Sequence, residues 1–134
     1  MINLTKVNIP HHCWYDDKPF ELFFPDEWKV HLCKVASEDA TPMSPEQIKT
    51  AINNPIGQKS LTKLAEGKEE VVIIFDDMTR PTKTFQYTPF ILDTLHKAGI
   101  PEDNIRFIIA PGTHGTYGRR DFVKKLGDDI VSNY

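Results

Sequence analysis

The sequence predicts an α/β domain: a parallel-sheet core of βα units, with a small antiparallel β layer at the N-terminus. Three observations carry this. Residues 71–75 (Val-Val-Ile-Ile-Phe) are consecutive apolar residues, mostly β-branched. Such a run is too short for a helix and suits a strand buried on both faces, as in a parallel sheet. Residues 105–110 (Ile-Arg-Phe-Ile-Ile-Ala) read as a second strand of the same kind. Each run passes directly into a polar turn, Asp76-Asp77-Met78-Thr79-Arg80-Pro81 after the first and Pro111-Gly112-Thr113-His114-Gly115-Thr116 after the second. Ligands of open α/β sheets gather at the carboxyl ends of the strands. Asp77, Arg80 and His114 are therefore expected to line one open, largely solvent-exposed crevice.

The N-terminal part reads as β. Residues 2–7 alternate in part, and residues 20–24 and 28–32 flank Pro25-Asp26-Glu27. That pattern predicts a hairpin with a three-residue connection, Trp28, Val30 and Leu32 sharing one face. Residues 36–43 form a mostly polar linker. Ser44 is placed to cap a helix, with Pro45 at its first position, Gln47 completing a capping box, and Ile48 and Ile52 inward. A short second helix over residues 59–66 turns Leu61, Leu64 and Ala65 inward, and Gly67 sits where a left-handed cap is expected. After the first strand a third helix follows, capped by Thr88 with Pro89 at its first position and stopped by Gly99 and Pro101. Gly118 to Leu126 is a last helix, with Phe122, Val123 and Leu126 inward and Gly127 closing it.

Residues 128–134 start a further element. A parallel sheet of two strands is thin against the usual ~4–6, so the chain is expected to be part of a longer, two-domain protein. We divide it into an N-terminal β-hairpin layer, residues 1–35, and an α/β domain, residues 36–134.

Composition narrows the function classes. With 40% hydrophobic and 26% charged residues, the chain has the balance of a soluble globular domain. The net charge is −3, and no basic run interleaves with aromatics, which argues against nucleic acid as a partner. No apolar run is long enough to span a membrane, and no secretory signal is visible, so a cytoplasmic protein is expected. Cys13 and Cys33 do not form a metal-binding Cys-x-x-Cys pair and read as reduced thiols. His11-His12-Cys13 invites a metal reading, but neighbours along a strand point to opposite faces, and no spaced partner is present. No metal ligand is assigned in this chain.

The two turns carry the chemistry. Arg80 offers a planar fork that binds a carboxylate or phosphate bidentately. His114 is the natural proton carrier, since an imidazole with an unperturbed pKa of ~6.5 suits proton transfer at neutral pH. Asp77 would orient that imidazole or accept a hydrogen bond from a ligand hydroxyl. Each motif also has a bland explanation: the first turn as a helix start, the second as a glycine-rich loop. Their joint position after consecutive strands favours a site. Familiar alternatives fail on spacing. Met78 and Thr79 stand where the Asp-x-Asp-x-Thr phosphatase pattern needs an acid. No P-loop, dinucleotide fingerprint or Gly-x-Ser-x-Gly elbow is present.

At these residues the sequence resembles the N-terminal domain of the nickel-dependent lactate racemase family. The resemblance runs over roughly residues 45–134. It is carried by Asn54-Pro55-Ile56-Gly57, the stretch Leu64-Ala65-Glu66-Gly67-Lys68, Asp77-Met78-Thr79-Arg80-Pro81, Gly112-Thr113-His114, and residues 122–131. It implies racemisation or epimerisation of a small 2-hydroxy acid by hydride and proton transfer, with a nickel-pincer nucleotide as cofactor. Asp77, Met78, Thr79 and Arg80 would contact that cofactor, Arg80 would also hold the substrate carboxylate, and His114 would be one of two acid/base histidines. The family's second histidine, its cofactor-tethering lysine and its nickel ligand belong to a C-terminal lobe that nothing here matches, so this piece alone is expected to be inactive. Gly115-Thr116 also departs from the Arg-Pro that often follows the histidine, which alters the crevice wall. The rival expectation is a non-catalytic phosphate- or nucleotide-binding α/β module using Arg80 and a helix N-terminus after the turn.

Overall fold

A computed structural model describes residues 3–134. The chain divides into two compact units, residues up to Pro42 and Met43–Tyr134, so they part within the polar linker. In the first unit, β1 (Leu4–Ile9) pairs antiparallel with β2 (Phe20–Pro25), Val7 opposite Leu22 and Thr5 opposite Phe24. This corrects the expected hairpin: β2 pairs backwards in sequence with β1, and residues 28–32 form no strand. The reason lies in the connection. A three-residue hairpin loop wants a glycine in left-handed conformation, and Pro25-Asp26-Glu27 has none. The chain instead makes a turn in which the Trp28 amide donates to the Pro25 carbonyl at 2.9 Å. Trp28, Val30 and Leu32, expected to share a face, are exposed. Of the first predicted strand, residue 2 lies outside the described residues and Asn3 is not in a strand.

In the second unit the two key runs are strands, β3 (Val71–Asp76) and β4 (Ile105–Ala110), hydrogen-bonded in parallel with Val71 opposite Ile105 and Asp76 opposite Ala110. Alternation decides their faces. Phe75 and Ile105 point into the core, whereas Val72, Ile74 and Ile108 remain exposed on the other face. The core adds Ala65, Leu92, Leu95, Ile100, Leu126 and Ile130, and Phe75 meets Phe107 and Phe122 edge-on.

Helix α1 (Pro45–Asn53) starts as the sequence requires: the Gln47 amide donates to the Ser44 hydroxyl and the Ser44 amide to the Gln47 side chain. Helix α2 (Leu61–Ala65) is capped by Ser60. It buries Ala65 but leaves Leu64 exposed, against expectation; one and a half turns present too narrow a face to bury all three apolar residues. Helix α3 (Thr88–Lys97) differs at its start. Tyr87 occupies the cap and Thr88 lies inside the helix, fully buried, its hydroxyl donating to the Thr84 carbonyl at 2.8 Å. A 3-10 turn at Thr84–Gln86 supplies that acceptor. Helix α4 (Arg119–Leu126) follows the second polar turn. Residues at the end of the sequence form a fifth helix, α5 (Asp128–Asn133). Gly127 between them has φ of 98°, a conformation costly for any other residue.

Candidate functional site

The parallel register sets the site. Because Asp76 pairs with Ala110, the chain leaves both strands at the same end, and the two polar turns start side by side. The first turn closes with the Arg80 amide donating to the Asp77 carbonyl at 3.2 Å. The second closes with the His114 amide donating to the Pro111 carbonyl at 3.0 Å. Gly112, with φ of 58°, makes that second turn possible.

Asp77 is where the turns meet. One carboxylate oxygen accepts the Thr79 amide at 3.0 Å and the Thr79 hydroxyl at 2.6 Å. The other accepts His114 Nδ1 and, at 3.2 Å, the Tyr117 hydroxyl. The Thr79 hydroxyl holds this carboxyl well below the ordinary carboxylate range, helped by His114 and the Thr79 amide and opposed by burial. Burial, reinforced by the charge of Asp77, pushes the Tyr117 phenol up. An ionised carboxylate only accepts, so the imidazole nitrogen facing it carries the hydrogen in the neutral ring. Nε2 is then left as the basic nitrogen.

The predicted site residues come together in one network. Arg80 Nη1 stands 3.5 Å from the Thr79 hydroxyl, Thr79 binds Asp77, and Asp77 binds His114. Thr79 and Arg80 are exposed, Met78 is half-buried, and the His114 side chain is 45% exposed. Asp77 departs from the open crevice expected of all three residues: it is 3% exposed, because four donors surround it. It acts through its neighbours, while Thr79, Arg80 and His114 face outward. Among the described residues no three of His, Cys, Asp and Glu converge as a metal cage.

Two participants escaped the sequence reading. Tyr117 lies three residues past His114, just before the start of α4. Lys125 is fully buried, its ammonium donating to the Asp77 carbonyl at 3.1 Å and the Arg80 carbonyl at 2.9 Å, and pairing with Asp76 Oδ1 at 2.9 Å. The signal was present: Lys125 follows Phe122 by three residues, on the inward stripe of α4, where a charge is out of place unless partnered.

Residues 15–134 match the family described as the lactate racemase N-terminal domain. The lactate racemase of Lactiplantibacillus plantarum is 39% identical over 134 residues, covering 97% of this chain and 30% of that protein. That of Thermoanaerobacterium thermosaccharolyticum is 41% identical over 132 residues, with the same coverage. The solved lactate racemase apoprotein from the latter organism superposes with a TM-score of 0.66 at 32% identity, over 96% of this chain and 28% of that one. The chain thus spans about 30% of the length of the curated relatives it matches. With that match over nearly its whole length, the chain belongs to the lactate racemase N-terminal domain family.

Proposed function

We propose that this domain is the N-terminal part of a cytoplasmic racemase or epimerase of small 2-hydroxy acids, working with a nickel-pincer nucleotide and a C-terminal lobe. The observation that carries the proposal is the Asp77–His114 pair, joined through Thr79 to Arg80 at one strand end. Arg80 holds the substrate carboxylate through its two-pronged fork. His114, its Nδ1 on Asp77, takes the hydroxyl proton at Nε2 in one direction and returns it in the other. Asp77 holds the ring in that orientation.

The donor chemistry suits the nucleotide. Arg80 offers an exposed cation suited to phosphate or ribose oxygens, while the Thr79 hydroxyl, its hydrogen given to Asp77, keeps acceptor capacity for a ribose hydroxyl, and Met78 lies between Asp77 and Thr79. These residues make no metal cage, so nickel ligands and the covalent attachment fall to the C-terminal lobe. When bound, the cofactor supplies a hydride acceptor for the hydrogen on the hydroxyl-bearing carbon, a poor acid beside a carboxylate.

The binding-module alternative needs a helix N-terminus at the site. Helix α3 starts only at Thr88, well past Arg80, and at α4 the Gly118 amide is taken by the Asp121 carboxylate at 3.0 Å. The discriminating experiment is stereoisomer exchange, by chiral chromatography, in the intact cofactor-loaded protein against a panel of 2-hydroxy acids. The expected result is exchange that leaves the carbon free of deuterium in D2O. His114→Ala should lower turnover by ~10²–10⁴-fold, and Arg80→Lys should also be damaging, chiefly by raising KM, because an ammonium cannot replace the fork. Nickel-independent nucleotide binding with no exchange on any substrate would contradict the proposal.

A further inference from the structure

We propose that Lys125 is the positioning residue of the strand-end site: its buried ammonium fixes the first turn so that Thr79 and Arg80 face the ligand. The claim rests on the reading of Arg80 as holder of the substrate carboxylate. Its physical basis is independent of that reading.

Burying an ammonium is costly, and an apolar side chain of similar size would fill the slot at less expense. What Lys125 adds is direction. Its carbonyl acceptors, Asp77 and Arg80, are the first and last residues of one turn, which the Arg80 amide already closes onto Asp77. Both ends of the turn therefore have their carbonyls drawn inward. The intervening Thr79 and the Arg80 side chain are left facing out, where both are exposed. The third acceptor, Asp76 Oδ1, ends β3. Its pairing with the ammonium offsets the repulsion between two adjacent carboxylates, Asp76 and Asp77, at the strand end.

The lysine also ties the turns to each other. It stands on α4, the helix that begins directly after the loop carrying His114 and Tyr117. One side chain thus bridges about 45 residues of sequence and sets the first turn against the element that follows the second. Without it Asp77 keeps its bonds to Thr79, His114 and Tyr117, while the Arg80 carbonyl loses its bond to the buried ammonium. The consequence falls on Arg80 more than on His114. A clamp on the substrate carboxylate acts alike in the ground state and the transition state, so misplacing it raises KM and spares kcat.

The test compares Lys125→Met with the double variant Lys125→Met/Asp76→Asn in the intact protein. Removing the orphaned carboxylate in the double variant restores folding without restoring the ammonium, which separates position from stability. Hydrogen exchange by mass spectrometry, read on a peptide spanning residues 76–84, needs neither cofactor nor activity. We expect exchange there to rise by ~10-fold in the folded double variant, while β4 stays protected. In the loaded enzyme KM for the 2-hydroxy acid should rise by about 10-fold with kcat within about threefold. Unchanged exchange over residues 76–84 in the folded double variant would overturn the proposal, as would a fall in kcat at unchanged KM. Absence of racemisation in the unmodified protein would instead count against the assigned reaction, with the exchange result still deciding the role of Lys125.

Discussion

The two turns at the strand end are built differently. The first, Asp77 to Arg80, is held from beneath: a buried ammonium takes two of its carbonyls, and Thr79 folds back onto Asp77 by both amide and hydroxyl. The second, Pro111 to Tyr117, has one internal turn bond and a glycine with positive φ, and its side chains reach across to Asp77. One turn is ordered by the core and the other by the first turn. The histidine proposed as proton carrier is thereby placed on a glycine-rich segment and takes its orientation from the first turn.

That asymmetry ranks the consequences of mutation. Asp77→Asn should be the most damaging change, because it affects both turns and the tautomer of His114. With His114 as the proposed proton carrier, we expect turnover in the intact protein to fall by up to ~10⁴-fold, as when the orienting carboxylate of a catalytic histidine becomes an amide, with KM less affected. An activity within a few-fold of the unmodified protein would show that the second turn orders itself.

Lys125→Met should come next, and on stability. Removing one partner of a buried pair costs about 3 kcal/mol, which corresponds to a melting point lower by roughly 10 °C for a domain of this size. Calorimetry or thermal circular dichroism checks it. A shift of only a degree or two would mean that the lysine's acceptors are well solvated without it.

The acid limb of stability tests the first turn by itself. The folded-state pKa of Asp77 is depressed, so its contribution is fully present above the unfolded carboxyl's value of about 3.9. It is lost as the pH falls from there through the lower folded value. Denaturant unfolding at a series of acidic pH values should therefore show a steeper loss in the unmodified protein than in Asp77→Asn. Superimposable slopes would remove the linkage.

Tyr117→Phe should be mildest, lowering turnover by ~3–10-fold as one hydrogen bond to Asp77 is lost while His114 and Thr79 remain. A loss as large as that of Asp77→Asn would make the phenol a full partner in orienting the carboxylate.

Much of this arrangement could be read from the residues. The runs 71–75 and 105–110 declare parallel strands, and that topology brings Asp77, Arg80 and His114 to one end; the burial of both faces expected from the unbroken apolar runs does not hold, since Val72, Ile74 and Ile108 are exposed on the second face. Ser44-Pro45 with Gln47 specifies the start of α1 through local hydrogen bonds alone. Local sequence was less informative where a partner lies far along the chain. β2 chose β1 over residues 28–32, a choice set by the chemistry of the intervening turn and by long-range pairing. The burial of Asp77 depends on donors 37 and 40 residues away, and that of Lys125 on acceptors 45 and 48 residues away. Only the inward stripe of α4 hinted at the lysine, and an amphipathic pattern gives a face without saying what that face will meet. Thr88 shows the reverse error, a good capping residue drawn into the helix because Thr84 offers its hydroxyl a buried acceptor.

The account depends most on Asp77 holding His114 through Nδ1, and the ring nitrogens report that directly. In ¹⁵N-labelled protein, the chemical shifts of Nδ1 and Nε2, read at a pH where the ring is neutral, distinguish its two tautomers. The account predicts the Nδ1–H form in the unmodified protein and loss of that preference in Asp77→Asn. A His114 ring carrying its hydrogen on Nε2, or one whose tautomer is indifferent to Asp77, would contradict it.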